Sequence, residues 1–209
     1  MLADLEVRPP DPLLKLIKAF REDARADKID LGVGVYRDES GETPIMAAVK
    51  QAERRLVATQ TTKTYVGQQG DLEFLRLQGE LVFGQRAETL VSQQAVGGTG
   101  ALRLGFDLLK AAGATRVIMP TPSWPNHPGI IYAAGLERID VPFFNVAEQR
   151  IELDGLLASL AKVARGEVVL LQGVCHNPLG ADFSPEHWLA LADAVIARGV
   201  IPFIDLAYV

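Results

Sequence analysis

Hydrophobic residues recur along this chain in two patterns: short apolar-rich runs, and longer segments in which they return every three or four positions. The short runs have the length of buried strands and lie at residues 117–119, 138–144, 168–171 and 201–205. The longer segments have the period of helices and follow Gly100, span residues 153–163 and run from Ser184 to Ala197. This alternation predicts βαβ units, and therefore an α/β fold with a mostly parallel sheet covered by helices on both faces.

The part of the chain before Tyr65 has a different pattern. Asp11 and Pro12 are a typical cap and first turn for a helix with apolar residues at helical spacing, and Thr43 and Pro44 have the same character for a second helix. Further along, Asp71 is expected to cap a helix that ends near residue 83. We expect the helices before Tyr65 to lie apart from the sheet.

A strand-like run at residues 91–96 leads into the glycine-rich sequence of residues 97–100 and then into a helix. Backbone N–H groups and the positive end of the helix dipole would face the occupant of such a turn, and a phosphate is the natural occupant. The spacing matches neither the dinucleotide-binding glycine motif nor the P-loop with its lysine. A tight turn without a ligand explains the same residues.

Polar and aromatic residues follow several of the predicted strands. Asp205 and Tyr208 follow the last one, Trp124 and His127 lie in a proline-rich loop after the first, and Asn177 follows residues 168–171. Ligands of open parallel sheets bind at the carboxyl ends of the strands, so these residues are candidates for a site. Each also has a structural explanation, as a turn or helix cap, a core tryptophan or a hydrogen-bonded histidine.

Composition narrows the choice of partner. The 209 residues are 48% hydrophobic and 22% charged, which is ordinary for a globular protein, and the net charge of -5 gives no basic surface for nucleic acid or an anionic membrane. No apolar run is long enough to span a membrane. The expected partner is therefore a small molecule.

The single cysteine, Cys175, cannot form an internal disulfide, which fits a reducing compartment. The first residues are acidic and contain no apolar segment of the kind that signal peptides carry, so a cytoplasmic location is expected. Cys175 and His176 are adjacent and have no further cysteine or histidine cluster to complete a zinc site. No metal site is predicted.

Several motifs occur together and in order, and in combination they are far more specific than any one alone. They are Leu31-Gly-Val-Gly-Val-Tyr36, the loop at Tyr65, Gly98-Thr-Gly-Ala-Leu102, Pro122-Ser-Trp-Pro-Asn-His127, His176-Asn-Pro178 and Phe203-Ile-Asp-Leu-Ala-Tyr208. This set resembles the aspartate and aromatic amino acid aminotransferases, which are fold-type I enzymes that use pyridoxal 5'-phosphate. Two positions depart from the family pattern: Leu179 stands where threonine is usual, and Gly97 stands where serine is frequent.

The resemblance implies roles around the cofactor ring. Asp205 would pair with the pyridinium nitrogen, so that the ring can accept electrons from the substrate Cα. Tyr208 and Asn177 would hydrogen-bond the phenolic oxygen of the ring, and Trp124 would stack on its face. His127 would lie behind Asp205 and set its orientation. Asp205 and Tyr208 are the catalytic residues that the resemblance implies in this chain.

The resemblance also implies how phosphate and substrate are held. Gly98 and Thr99 would bind the phosphate, and Tyr65 would reach the phosphate of a neighbouring subunit in a homodimer. The backbone N–H of Gly34 would meet the substrate carboxylate. The implied substrate-binding residues are Gly34, Trp124 and Asn177. The substrates would be an amino acid, aspartate or aromatic, and a 2-oxo acid.

By the same resemblance, residues 1–45 would form an N-terminal arm and part of a small domain, and residues 46–209 the N-terminal portion of the cofactor-binding large domain. In the family, the lysine that forms the Schiff base with the cofactor follows the Asp-x-Ala-Tyr motif, and the final lysine of this chain is Lys162. We therefore expect the chain to be the N-terminal half of an aminotransferase, inactive alone. Two alternatives stay open, a non-catalytic module that binds the cofactor or a phosphate, and a nucleotide-binding α/β protein.

Overall fold

The structure is a computed structural model that describes residues 12–30, 32 and 34–208. The chain forms two compact units, residues 1–64 and residues 65–209. The boundary predicted between residues 45 and 46 lies inside the first unit, and the assignment of residues 1–45 to a small domain stays a prediction. Asp11, Leu31 and Val33 lie outside the described residues.

The first unit contains two described helices, α1 (Pro12–Glu22) and α2 (Ala47–Thr59). The predicted start of α2 at Thr43 and Pro44 is wrong, because the helix begins only after Met46, whose ψ of 138° is not helical. The Thr43 hydroxyl donates to the carbonyl oxygen of Tyr36 at 3.0 Å, so it is not available to cap a helix.

The second unit begins with helical elements and continues as alternating strands and helices. In chain order it contains α3 (Leu72–Phe83), a 3-10 helix (Gly84–Thr89), α4 (Gly97–Ala111), β1 (Arg116–Thr121), α5 (His127–Ala133), β2 (Glu137–Pro142), β3 (Phe144–Asn145), β4 (Arg150–Ile151), α6 (Leu153–Leu160), β5 (Val168–Gln172), α7 (Pro185–Arg198) and β6 (Ile201–Asp205). The predicted caps of α3 and α7 are confirmed, since Asp71 and Ser184 accept from backbone N–H groups of the first turns. Within the described ranges, no helix is long and apolar enough to cross a membrane.

Four strands form one parallel sheet in the order β2-β1-β5-β6. The register pairs Gln172 with Asp205 and Thr121 with Pro142, so the carboxyl ends of these strands lie along one edge. Strands β3 and β4 form a separate antiparallel pair. The edge at the carboxyl ends is where ligands bind in open α/β sheets.

Successive residues of the central strands point to opposite faces and build two cores. Ile118 and Val169 belong to a core that includes residues of α6 and α7, whereas Val117 and Val168 belong to a core that includes residues of α4 and α5. Strands buried on both faces explain the short, continuous apolar runs of the sequence. The predicted mostly parallel sheet with helices on both faces is confirmed.

Helix α4 lies close to β6. A Cβ atom added to Gly105 would come within 2.5 Å of the Phe203 ring. That ring also packs edge-on against Phe106, at 4.7 Å between centroids, so it has little freedom to move aside. The glycine therefore permits a close approach between the helix and the strand that ends in Asp205.

The strand predicted at residues 91–96 is wrong. This segment has no regular secondary structure, and its terminal valines, Val91 and Val96, are almost fully exposed. Its one recorded backbone hydrogen bond outside helices runs from Gln94 to Gln69 in a loop. An apolar run becomes a strand only when another strand pairs with it, and the described part of the chain supplies no such strand here.

Candidate functional site

A pocket of about 280 Å³ opens at the carboxyl edge of the sheet. It is lined by residues from α4, the loop after β1, the end of β5 and its following loop, and the end of β6. These residues are Gly98, Thr99, Leu102, Trp124, Gln172, Asn177, Asp205, Ala207 and Tyr208. The structure thus brings six of the predicted site residues to one pocket.

Asp205 is the last residue of β6, and its carboxylate faces both the pocket and the protein interior. Its Oδ2 atom lies 2.9 Å from Nε2 of His127. His127 is the first residue of α5 and is fully buried, while the Asp205 side chain keeps 17% exposure. Among the described residues none donates to the other carboxylate oxygen, Oδ1. The carboxylate is therefore held on one side and can accept a hydrogen bond on the other.

His127 is held from both sides of its ring. Its Nδ1 atom lies 2.8 Å from the Ser123 hydroxyl, opposite the contact to Asp205. Trp124 packs edge-on against the imidazole, with 5.2 Å between the ring centroids. His127 thus contacts Asp205 from the protein interior, and its role in setting the orientation of Asp205 stays a prediction.

Trp124 is half-buried and lines the pocket. It also packs against the core between the sheet and helices α4 and α5. The two explanations considered from sequence, a ligand-facing indole and a core residue, therefore describe two sides of the same side chain. Proline residues at positions 122 and 125 restrict the backbone on both sides of it.

Asn177 and Tyr208 meet in the pocket, where the Asn177 Nδ2 atom donates to the Tyr208 hydroxyl at 3.3 Å. The backbone N–H of Asn177 in turn donates to the side-chain oxygen of Gln172 at 2.8 Å. The loop that carries Asn177 is therefore fixed to the end of β5. Two hydroxyl or amide groups side by side can share one oxygen of a ligand.

The glycine-rich sequence forms the first turn of α4 rather than a separate turn before it. Gly97 has φ of +65°, a conformation that glycine adopts readily, and the cap residue Val96 makes no side-chain hydrogen bond to the helix. Gly98 and Thr99 follow in the first turn and are exposed to the pocket. The uncapped N–H groups and the helix dipole make this end of α4 suitable for an anion.

Besides His127, which lies behind Asp205, two predicted residues are not among those that line this pocket. Gly34 belongs to the first unit, where it is exposed and has open space around its Cα. Tyr65 is the first residue of the second unit and its side chain is fully exposed. Their roles stay predictions.

Sequence reasoning missed two residues of the site, Ser123 and Gln172. Gln172 is buried, with 9% exposure, and is the last residue of β5. Its Nε2 atom donates to the Asn177 carbonyl oxygen at 2.9 Å and lies 3.4 Å from the Ser123 hydroxyl. The strand-end argument that selected Asp205 could also have selected Gln172 and, two residues after β1, Ser123.

His176 is buried beside this network. Burial is the main cause that lowers its pKa below the ordinary value, so the ring is neutral at neutral pH. Its Nε2 atom lies 3.2 Å from Gln172 Nε2, and its Nδ1 atom has no hydrogen-bond partner among the described residues. His176 therefore belongs to the wall behind the pocket, not to its lining.

Comparison with known proteins gives consistent matches. The profile of the family described as "Aminotransferase class I and II" matches residues 26–209. The chain is 48% identical to the tyrosine aminotransferase of Rhizobium meliloti (strain 1021), over 95% of this chain and 51% of that protein. It is 41% identical to the aspartate aminotransferase of Salmonella typhi, over 100% of this chain and 54% of that protein.

A solved structure of the aromatic-amino-acid aminotransferase from Burkholderia pseudomallei, covalently bound to pyridoxal phosphate, matches with a TM-score of 0.92 and 34% identity. The match covers 98% of this chain and 53% of that chain. The chain thus spans about half the length of the curated relatives it matches. The agreement in fold confirms the predicted fold type.

Proposed function

The chain belongs to the class I and II aminotransferase family, as its motifs predicted, and we propose that it forms the cofactor-binding part of a pyridoxal-phosphate-dependent aminotransferase. The proposed reaction moves an amino group between an amino acid, aspartate or aromatic, and a 2-oxo acid. The observation that carries the proposal is the Asp205 carboxylate, which is held by His127 through one oxygen and is open to the pocket through the other.

The residues of the pocket fit the chemistry of pyridoxal phosphate. Asp205 would accept a hydrogen bond from the ring nitrogen and keep it protonated, and the Asn177–Tyr208 pair would donate to the phenolic oxygen. Gly98 and Thr99 at the uncapped end of α4 would hold the phosphate. The Trp124 indole would cover one face of the ring. When bound, the cofactor supplies an electron sink for the substrate Cα.

Two further parts of the proposal rest on the family alone. Gly34 would offer its backbone N–H to the substrate carboxylate, and Tyr65 would serve the phosphate of a partner subunit in a homodimer. The exposed side chain of Tyr65 is compatible with a contact to another chain. The single cysteine of the chain supports a cytoplasmic location.

The second candidate function is that of a module that binds the cofactor or a phosphate without catalysis. It is favoured by one observation: the residues that line the pocket include no lysine. Transamination needs a lysine to form the covalent link to the cofactor and to move the proton at the substrate Cα.

The two functions differ in how they hold pyridoxal phosphate. The full-length gene product is loaded with the cofactor, reduced with borohydride and digested, and the peptides are analysed by mass spectrometry. A pyridoxyl-lysine peptide together with release of a 2-oxo acid supports the aminotransferase. Cofactor that binds reversibly and leaves no such peptide supports the module, and no binding at all rejects both.

When the cofactor is limiting, Asp205→Ala should lower the fraction of protein that binds or is labelled in this assay. The matched control is Asp140→Ala, because Asp140 is an exposed carboxylate in β2 of the same sheet and lies outside the pocket. If both variants bind the cofactor as the unchanged protein does, the assignment of the pocket is wrong.

A further inference from the structure

We propose that Gln172 is a positioning residue that sets the direction of the hydrogen-bond chain Gln172–Ser123–His127–Asp205, so that His127 is neutral and its proton is on Nε2. The inference deepens the proposed function, because it concerns the charge that Asp205 presents to the pocket. The hydrogen-bond direction itself follows from contacts of the protein alone.

The orientation of the Gln172 amide is fixed by the backbone of one residue. Its Oε1 atom accepts from the Asn177 N–H at 2.8 Å, and its Nε2 atom donates to the Asn177 carbonyl oxygen at 2.9 Å. If the amide were flipped, its oxygen would face the Asn177 carbonyl oxygen, and its NH2 group would face the Asn177 N–H. The side that faces Ser123 and His176 is therefore the donor side.

The donor side of Gln172 determines what its neighbours do. Its second N–H is directed at the Ser123 hydroxyl oxygen, at 3.4 Å, and at His176 Nε2, at 3.2 Å, so both atoms act as acceptors. For His176 this requires the tautomer with the proton on Nδ1, the atom that has no partner among the described residues. The network thus leaves one buried N–H unpaired behind the pocket.

The Ser123 hydroxyl determines which nitrogen of His127 carries the proton. The side of Gln172 that faces Ser123 is a donor and cannot accept the Ser123 hydrogen. The hydroxyl therefore donates this hydrogen to His127 Nδ1, at 2.8 Å. A ring nitrogen that accepts carries no proton, so the proton of the neutral imidazole is on Nε2 and is donated to Asp205 Oδ2 at 2.9 Å. Each hydrogen bond of this series then donates in the same direction, from Gln172 through Ser123 and His127 to the Asp205 carboxylate.

The opposite direction is disfavoured by the same contacts. If His127 carried protons on both nitrogens, the Ser123 oxygen would accept from His127 and from Gln172, and its own hydrogen would need another acceptor. Within the described residues, the hydroxyl has no contact other than these two. The proposed direction therefore uses the Ser123 hydrogen within the protein, whereas the opposite direction gives that hydrogen no acceptor among the described residues. The charged and titratable groups that face His127 are Asp205 and His176.

The consequence concerns the charge at the site. A neutral His127 orients Asp205 without cancelling its negative charge, and the free Oδ1 atom can then hold a protonated ring nitrogen. A positively charged His127 would compete with the ligand for that charge. Gln172, which need not touch the ligand, would therefore control how strongly the site favours a cationic ring.

The test is 15N NMR of the histidine side chains in the ligand-free protein at neutral pH. We expect His127 to show a protonated Nε2 and an unprotonated Nδ1. Gln172→Glu should move Nδ1 into the range of a protonated nitrogen, because a carboxylate accepts the Ser123 hydrogen and reverses the chain. Gln51→Glu is the matched control, since Gln51 is exposed on α2, and it should leave both resonances unchanged.

The Ser123→Ala background distinguishes an effect of the hydrogen-bond series from a direct effect of the negative charge introduced at position 172. Gln172→Glu introduced into Ser123→Ala should no longer change the state of His127, because the connecting hydroxyl is absent. An undiminished change in that background overturns the proposal, as does a proton on Nδ1 of His127 in the unchanged protein. The latter measurement needs no variant to fold, and it is independent of whether the protein binds pyridoxal phosphate.

Discussion

Glu167 and Asp205 are carboxylates at opposite ends of the same sheet, and their surroundings differ. Glu167 lies just before β5 at the amino edge and is 7% exposed. Its oxygens accept from the Thr115 hydroxyl at 2.8 Å, the Arg116 N–H at 2.5 Å, the Thr115 N–H at 3.3 Å and the Arg116 Nε at 3.3 Å. Asp205, at the carboxyl edge, has one donor within the described ranges, His127, and it lines a pocket.

The number of donors separates a carboxylate that is used within the fold from one that can still accept a ligand. Both oxygens of Glu167 accept hydrogen bonds from Thr115 and Arg116, so this carboxylate fixes the start of β1 to the start of β5. In Asp205 only Oδ2 has a partner among the described residues, and the side chain lines the pocket. Burial alone does not separate the two residues, whereas the position along the strand and the count of donors do.

The largest effect is expected where the donors are most numerous. Glu167→Ala leaves the N–H groups of Thr115 and Arg116 without their acceptor, and should lower the free energy of unfolding by about 3–5 kcal/mol. Denaturant unfolding followed by circular dichroism measures this. Asp140→Ala, at an exposed position, should change it by less than about 0.5 kcal/mol. If the two variants unfold alike, Glu167 is not the structural anchor inferred here.

The next effect is on binding. Asp205→Ala should keep the fold and weaken pyridoxal phosphate binding by about 1.5–3 kcal/mol, roughly 10- to 150-fold, because a charge-assisted hydrogen bond is lost. Turnover of the full-length enzyme should fall further, since an unprotonated ring nitrogen makes the ring a poorer electron sink. Fluorescence titration and steady-state kinetics measure the two quantities. Near-normal turnover in this variant would reject the role of Asp205.

The stability contributed by Glu167 at the amino edge should depend on pH. Burial alone would raise the pKa of Glu167, but the hydrogen bonds from Thr115 and Arg116 outweigh it and hold the pKa below its ordinary value. The stability that the carboxylate contributes is therefore fully present above the ordinary pKa of the unfolded chain, and is lost as the pH falls through the lower folded value.

This is measured as the difference in unfolding free energy between the unchanged protein and Glu167→Gln. We expect about 1–3 kcal/mol at pH 7, and a smaller difference at each step below about pH 4.5. Asp140→Asn, measured alongside, accounts for general effects of acid. A difference that stays constant down to pH 3 would mean that the charge of Glu167 is not what stabilises this edge.

The smallest effect is expected for Trp124→Ala, which should weaken cofactor binding by about 0.5–1.5 kcal/mol, roughly 2- to 10-fold. Its cost in stability should be smaller than that of Phe106→Ala, because Phe106 is fully buried in the same core. The experiment pairs a cofactor titration with a thermal unfolding curve for each variant. A collapse in stability at unchanged affinity would identify Trp124 as a core residue only.

Local patterns were sufficient to predict much of this fold. The short apolar runs at residues 117–119 and 168–171 lie in β1 and β5, and the caps Asp71 and Ser184 begin the helices expected of them. These features depend on neighbours within a few positions in the chain. The predictions that failed, at residues 91–96 and at Thr43, depend on whether a distant segment offers a pairing strand or a competing acceptor.

The same distinction applies to the site. The residues that follow strands could be listed from the sequence, but their partners could not, because His127 and Asp205 are 78 positions apart and Gln172 and Ser123 are 49 positions apart. Those pairings follow from the strand order and register of the sheet. The family resemblance supplied the contact of His127 to Asp205, but it did not supply Gln172.

The close approach of Gly105 to Phe203 has a consequence for directed evolution of this protein. A side chain at position 105 would push α4 away from β6, and these two elements carry the proposed phosphate-binding turn and the Asp205 carboxylate. Most variants in a randomised library at this position would therefore disturb the geometry of the pocket, although the residue lies outside it. Engineers who wish to alter specificity should leave this helix–strand contact untouched and diversify the exposed rim instead.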